Sequence, residues 1–393
     1  MNHEKVVILG AARTPIGALL GDLSTVPAPQ LGAVAIKAAL GQSQLSSEDI
    51  DEVLMGNVLS AGLGQAPARQ AALAAKLPQS TPCTTISKVC GSGMKSVMLA
   101  YDQIRAGSIN TAIAGGMEAM SRAPYLLPNA RQGYRFGHSE VLDHMAYDGL
   151  QNAYDGQAMG CFADINAKAD GLDRAALDEY ALESLKRAKT AIEKGYFKQE
   201  IAPVMIASRQ GEITVDTDEQ PGKAKPDKIP QLKPAFAKDG IVTAANASSL
   251  SDGAAALVLT TAALASQRGL KPIAEIKAHS THAQAPEKFT HAPIGAIQAL
   301  LHKLSWTVDE VDLFEVNEAF AAVAMAAINQ LSLAHAHTNI HGGATALGHP
   351  IGASGARILV TLLYALKRLG KQRGVASLCI GGGEATAIAI EMC

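Results

Sequence analysis

The apolar positions of this chain switch repeatedly between strand-like runs and helical spacing over the first 120 residues. Residues 6–9 (VVIL) are an unbroken apolar run ending at Gly10, the pattern of a buried strand. Residues 31–40 carry apolar side chains at helical spacing and stop at Gly41. Residues 53–59 read as a strand, 66–77 as an alanine-rich helix ended by Pro78, and 84–89 as a strand. After Cys90, the residues Met94, Val97, Met98, Tyr101 and Ile104 share one helical face as far as Gly107. Residues 111–114 form a further strand, closed by Gly115-Gly116. This alternation predicts an α/β region with a largely parallel sheet.

The pattern becomes irregular between 121 and 249, with many Pro, Gly and aromatic residues. One amphipathic helix, 174–194, interrupts it and is closed by Gly195. The segment reads as an insertion covering one face of the sheet, and long loops in compact domains usually carry function. Regular order then returns. Residues 254–259, 273–277, 313–316, 375–380 and 385–390 read as strands, and 294–304, 320–331 and 353–369 as helices.

Two segments echo each other: CGSGMKSVMLAYDQIRAGSINTAIAGGMEA (90–119) and HPIGASGARILVTLLYALKRLGKQRGVASLCIGGGEA (349–385). Each has a reactive side chain, a Gly/Ser pair, an apolar helix, a glycine, a strand and a Gly-rich stretch before Glu-Ala. This predicts an internal duplication. The expected organisation is an N-terminal half, 1–120, completed by about 250–272; an insertion, 121–249; and a C-terminal half, 273–393. If the halves pack about a pseudo-two-fold axis, Cys90 and His349 approach one crevice from opposite sides.

Composition narrows the class. The 393 residues are 48% hydrophobic, enough for a large core and more than one domain. A net charge of −2, from 34 basic and 36 acidic residues, favours neither nucleic acid nor an anionic membrane as partner. No stretch approaches the roughly 18 uninterrupted apolar residues of a membrane span, and MNHEKVVILGAARTP does not read as a secretory signal. The five cysteines form no CxxC pair and fit free thiols in a reducing, cytoplasmic compartment.

Cys90 stands where a strand gives way to a helix. Unpaired N–H groups and the positive end of the helix dipole are expected to face its sulfur and favour thiolate. Gly91 and Gly93 would let a substrate carbonyl approach those N–H groups. The plainer reading is a small buried hydrophobe. His349 lies among small residues in GGATALGHPIGASGAR. It is either a base beside the nucleophile or a cap on the following helix. Cys379, before three glycines, is a second thiol at a strand end or a core residue, and the Gly381 N–H could donate to an oxyanion. Asn317 and Glu318 in FEVNEAFAA stand at a helix start, where an amide caps the helix or holds a catalytic water.

Other signals point less sharply. His335, His337 and His341, and likewise His279, His282 and His291, lack a carboxylate or cysteine at ligand spacing, so no metal is expected. LGAARTPIG lacks the spacing of a dinucleotide loop. The lysines from Lys223 to Lys238 read as a solvated loop or as contacts to the phosphates of a nucleotide-like ligand.

SKVCGSGMKS, NASSLSDGAAA, VNEAFAA, GGATALGHPIGASGAR and CIGGGEATA, with RTPIG near the start, resemble the motifs of the thiolase family along the whole chain. The likeness is nearest to its short-chain acetyl-CoA C-acetyltransferases. It implies a duplicated five-layered α/β/α/β/α fold with an inserted loop domain, a homotetramer, and coenzyme A and acetyl-CoA as substrates with no permanently bound cofactor. It implies Cys90 as acyl-accepting nucleophile, His349 as its base and Cys379 as acid/base thiol. Asn317 would hold an oxyanion-hole water with His349, and the N–H groups of Cys90 and Gly381 would form a second oxyanion hole. Contacts to coenzyme A are implied for Ser248, Phe320, Leu150, Met159 and Phe236, and for Lys223. One departure stands out: several short-chain members have His before the Met of the loop-domain HMG segment, where this chain has Ala158 before Met159. Rival readings are a long-chain β-oxidation thiolase, a decarboxylating ketoacyl synthase and a silent acyl-CoA binder.

Overall fold

Alternate side chains of the first strand enter two different cores. In a computed structural model, which describes residues 4–208 and 211–393, strand β1 (Val6–Arg13) directs Val6 and Ile8 into one apolar cluster and Val7 and Leu9 into another. A strand covered on both faces needs no polar alternation, which explains the continuous apolar run.

Eight further strands extend this sheet: β2 (Glu52–Gly56), β3 (Cys83–Ile86), β4 (Thr111–Ala119), β5 (Ser251–Thr261), β6 (Ala274–Ala283), β7 (Leu313–Val316), β8 (Arg373–Ile380) and β9 (Glu384–Met392). Their spatial order is β7-β8-β9-β6-β1-β5-β4-β2-β3, with the short strand Gly17–Ala18 attached to β5. The two halves of the sheet join where Val6, Val7 and Ile8 pair antiparallel with Ile276, Glu275 and Ala274. The principal helices are α1 (Ala28–Ser43), α2 (Pro67–Ala74), α3 (Ser92–Ala106), α4 (Met159–Ala169), α5 (Arg174–Glu193), α6 (Ala292–Leu304), α7 (Ala321–Leu331) and α8 (Ser354–Leu369).

Five layers follow from which helix covers which face. Leu31, Ile36 and Ala39 of α1 and Ala68 and Ala71 of α2 pack on the outer face of the N-terminal strands. Ile297 and Leu300 of α6 and Val323 and Ala326 of α7 cover the outer face of the C-terminal strands. Helices α3 and α8 fill the middle, where Met94, Val97, Ile358 and Leu362 meet Ala114 and Leu257 from one half and Ala376 and Leu378 from the other. Helix α8 is therefore covered on every side: each residue from Ser354 to Leu363 is buried, Arg357 and Thr361 included.

The sheet is mixed and not largely parallel. Only β2 with β3, β2 with β4, and β7 with β8 run parallel. The pairs β1–β5, β4–β5, β6–β9 and β8–β9 are antiparallel. A helical crossover is needed only for the parallel pairs, while β8 and β9 are joined by the short glycine turn at 381–383, which forces an antiparallel hairpin. Strand β4 also runs through Gly115-Gly116 instead of closing there. A Cβ on Gly116 would lie 2.0 Å from the Gly352 carbonyl, so these glycines mark close backbone approach and not a turn.

The chain between β4 and β5 holds α4, which the sequence pattern did not reveal, the helix α5, and two short hairpins. It is fastened to β1 by Arg13, fully buried, whose guanidinium meets Glu200 at 2.5 Å and Asp218 at 2.7 and 2.8 Å. Burying one partner of such a group alone would be costly, so the three act as one unit.

The starts of α3 and α8 press against each other without side chains between them. A Cβ on Gly355 would lie 2.5 Å from the Met94 nitrogen, and one on Gly93 would lie 3.0 Å from the Gly352 oxygen and the Ala356 nitrogen. Gly93 therefore serves helix packing, not the approach of a substrate carbonyl. Gly355→Ala is expected to lower stability by about 1–3 kcal/mol through overpacking, and Gly355→Val by more, as measured by urea unfolding. An unchanged midpoint for Gly355→Ala would show that the helices are free to part.

Candidate active site

The chain leaves β3 through a strained turn. Val89 adopts φ 45°, a left-handed conformation that β-branched residues rarely take. Ser92 braces the turn: its hydroxyl donates to the Val89 carbonyl at 2.7 Å and accepts from the Lys88 N–H at 2.8 Å. Cys90 is thereby held beside the first turn of α3, whose cap residue is Gly91. On the other side, His349 follows Gly348 in the loop leading into α8.

Both residues open onto one cavity of about 500 Å³. Its lining includes Cys90, His349, Cys379 and Gly381, together with Ser248, Phe320, Leu150, Met159 and Phe236. Nine of the residues singled out from sequence are thus brought together. Asn317 stands one layer behind, with Nδ2 3.5 Å from His349 Nδ1. Lys223 is not part of this wall. Its ammonium pairs with Glu219, one helical turn away, and lies 4.0 Å from Asp22, so local carboxylates take the charge that was assigned to a phosphate. Met120 and Phe289 also line the cavity and were missed. Met120 directly follows the GGMEA echo, which was a usable signal; Phe289 had none. Phe320 packs edge-on against both Phe236 and Phe289, at 6.0 and 6.1 Å between centroids, giving the cavity an aromatic wall.

The electrostatics differ from the sequence expectation. Burial pushes the Cys90 thiol up to about 11, against the opposing pull of the Gly381 N–H and its own N–H. The helix start therefore does not produce a resting thiolate. Cys379 is buried and raised well above the ordinary thiol value, first by burial and then by Cys90. Burial, reinforced by the Arg357 charge, lowers His349 to about 3. At neutral pH the site holds two thiols and an uncharged imidazole.

Hydrogen bonding assigns the imidazole proton. Ser354 Oγ lies 2.9 Å from the Pro350 carbonyl and 2.6 Å from His349 Nδ1. With its single proton given to the carbonyl, the hydroxyl accepts from Nδ1–H. The lone pair then sits on Nε2, which is buried and has no hydrogen-bond partner. That atom is free to take a proton from a group in the cavity.

The helix after Asn317 starts only at Ala321, with Phe320 at the cap, so Asn317 is not a helix cap. Its neighbour Glu318 is structural: its carboxylate accepts from Tyr180 at 2.9 Å, Ser184 at 2.8 Å and Thr345 at 2.6 Å. The two glutamates of the sequence echo also part ways. Glu118 is buried and accepts N–H groups from Val58, Leu59 and Gly352, at 3.0, 3.2 and 3.1 Å, tying the loop beyond His349 to the first half. Glu384 instead pairs with Lys88 at the surface. Among the described residues no three His, Cys, Asp or Glu side chains gather as a metal site. His335 stacks on Tyr180, and His341 accepts from Arg368 at 2.7 Å.

Family models for the thiolase N-terminal domain and the thiolase C-terminal domain match residues 6–263 and 270–392. The chain belongs to the thiolase family. Among relatives, the acetyl-CoA acetyltransferase of Cupriavidus necator is 49% identical, covering 98% of this chain and 99% of its own. Acetyl-CoA acetyltransferase 2 of Arabidopsis thaliana is 47% identical, covering 100% and 98%. The crystal structure of the Acat5 thiolase from Ascaris suum in complex with coenzyme A superposes with a TM-score of 0.94 at 41% identity, over 99% of this chain and 100% of that one. This thiolase thus has the five-layered fold that its motifs imply.

A half-buried, neutral Cys90 thiol makes a distinct prediction. Alkylation of Cys90 by iodoacetamide should accelerate by about tenfold per pH unit between pH 7 and 9, because only the thiolate reacts. Peptide mass spectrometry against time would follow it. A rate already level at pH 7 would mean that the thiolate is the resting form.

Proposed function

We propose that the protein is an acetyl-CoA C-acetyltransferase, condensing two acetyl-CoA to acetoacetyl-CoA and free coenzyme A and catalysing the reverse thiolysis. The observation that carries this reading is the convergence of two protonated thiols and one neutral imidazole on a single cavity with an aromatic wall. The names of the relatives, and the coenzyme A bound to the Ascaris suum thiolase, support it.

Cys90 Sγ attacks the thioester carbon of acetyl-CoA and passes its proton to His349 Nε2. The bond to the CoA sulfur breaks, and CoA leaves with the proton of Cys379. This leaves acetyl-Cys90, an imidazolium and a Cys379 thiolate. A second acetyl-CoA enters, and Cys379 takes a proton from its methyl carbon. Burial that opposes thiolate formation also makes that thiolate a strong base, which a weak carbon acid demands. The enolate attacks acetyl-Cys90, acetoacetyl-CoA forms, and the departing Cys90 sulfur recovers its proton from His349. The N–H groups of Cys90 and Gly381 serve the oxyanion on the acetyl group, and His349 with Asn317 serves the enolate. Each such donor is worth about 2.7–4 kcal/mol in comparable sites. Ser248, Phe320, Leu150, Met159 and Phe236 hold the pantetheine arm.

Ala158 supports a second reading. It lines the cavity next to Met159, where several short-chain relatives of this type carry an imidazole, and the smaller side chain suits a broader range of 3-ketoacyl-CoA substrates. Cys379 argues against a decarboxylating synthase, which has no need of a second thiol to abstract a proton from carbon. The domain division proposed is two halves, 1–120 with 250–272 and 273–393, around a CoA-binding loop domain, 121–249. A homotetramer is proposed as well. Exposed Tyr125, Leu127, Phe136 and Val141 in that loop domain support it. The five free cysteines support a cytoplasmic setting, and the proposed acyl-CoA substrates suit fatty-acid metabolism as its context.

Thiolysis of 3-ketoacyl-CoAs of increasing chain length decides between the two substrate readings: rates confined to acetoacetyl-CoA and its nearest homologues support the acetyltransferase, and rates that hold with length support the broader enzyme. Cys379→Ala should still take radiolabelled acetyl onto Cys90, more slowly because the departing CoA loses its proton donor, while condensation falls by about 10²–10⁴-fold. Retained condensation would remove Cys379 from its role, and labelling of a Cys90→Ala protein would remove Cys90 from its own.

A further inference from the structure

Arg357 lies in the first turn of α8 and is only 2% exposed. Its Nη2 donates to Asn317 Oδ1 at 3.3 Å. Its Nη1 stands 3.7 Å from Glu315 Oε2, an ion pair too long to be a hydrogen bond. Nε and Nη1 have no hydrogen-bond partner. A buried guanidinium so thinly satisfied costs stability, and an apolar side chain of similar size would fill the space more cheaply. Its retention calls for a reason other than packing.

We propose that Arg357 is a positioning residue that fixes the side-chain amide of Asn317 with its donor, Nδ2, turned toward His349. This rests on the reading of Asn317 as an oxyanion-hole residue. A guanidinium has donors and no acceptor, so the amide atom that faces it is the oxygen. The opposite end, Nδ2, is then the atom 3.5 Å from His349 Nδ1. The two ends of an asparagine amide are nearly equal in shape. Without Arg357 the remaining neighbour, the Nδ1–H of His349, favours the oxygen, and a flipped amide would present an acceptor where a developing oxyanion needs a donor. Glu315 and Asn317 are two residues apart on and just beyond β7, so both point to the same face, toward α8. The Glu315 carboxylate thus holds the guanidinium from one side while the amide takes it on the other. The remaining charges that act on Arg357 are Glu200, Glu318 and Arg13, and none of them reaches the amide. The Arg357 charge also opposes protonation of His349, consistent with a ring that starts the reaction neutral.

A double-mutant cycle tests this in the full-length enzyme, with acetoacetyl-CoA thiolysis as the assay. Arg357→Met should lower kcat by about 10–100-fold with KM within about twofold. In an Asn317→Ala background the same substitution should change kcat by less than about twofold, because no amide remains to orient. Arg357→Lys, which keeps a donor in place, should recover part of the loss. An equal loss in both backgrounds would overturn the proposal, since a purely structural role does not depend on Asn317. Should circular dichroism show Arg357→Met unfolded, the pair Arg357→Met/Glu315→Gln, which removes the guanidinium together with the carboxyl group that faces it, takes its place in the cycle. Full activity of that pair with Asn317 present would likewise overturn it. An inactive wild-type protein would instead sink the thiolysis reading, so the two failures are distinguishable.

Discussion

Everything in this molecule depends on two helices starting within backbone contact of each other. Gly93 and Gly355 allow it: a Cβ on Gly355 would lie 2.5 Å from the Met94 nitrogen, and one on Gly93 would crowd the Gly352 oxygen and the Ala356 nitrogen at 3.0 Å. The residues just before those starts, Cys90 and His349, then open onto the same cavity. A methyl group on either start would push the thiol and the imidazole apart. The flanking sheets keep the helices pressed together, since α8 is buried on all sides from Ser354 to Leu363. Burial of roughly 1.5–3 kcal/mol per large apolar side chain, summed over this shared middle layer, outweighs the cost of the strained turn at Val89.

The same burial sets the chemistry. It raises both thiols and lowers the imidazole, so the resting site is uncharged and awaits a substrate before any proton moves. In the proposed reaction charge appears only when bonds to the substrate form, and the N–H groups of Cys90 and Gly381 and the Asn317 amide would receive it. A site of this kind avoids exposing a reactive thiolate between turnovers.

Much of this was legible in the chain itself. Continuous apolar runs gave the strands, 3.6-residue spacing gave α3 and α5, and the echo around Cys90 and His349 foretold their meeting. Strand direction was not legible, because it depends on which distant segment arrives beside each strand. Gly115-Gly116 read as an end when it is a passage, since the neighbour that crowds it, Gly352, is more than 230 residues away. The charge state of Cys90 was misread for the same kind of reason: the helix start is local, but the burial that overrides it is not. Lys223 looked available until its own helix supplied Glu219. Arg357 was in plain sight within GGATALGHPIGASGAR, yet a cation in a helix ordinarily faces water, and only the shared middle layer shows that this one does not.

That shared layer also bears on how such a chain could have arisen. Neither half covers its own inner helix alone; each helix packs on its own strands and is closed off by the inner helix and strands of the other half. A single-copy ancestor would therefore have had to exist as a symmetric pair, with the same residue at both helix starts. Joining the copies into one polypeptide released them from that symmetry. Only then could one start come to carry a thiol while the other acquired an imidazole.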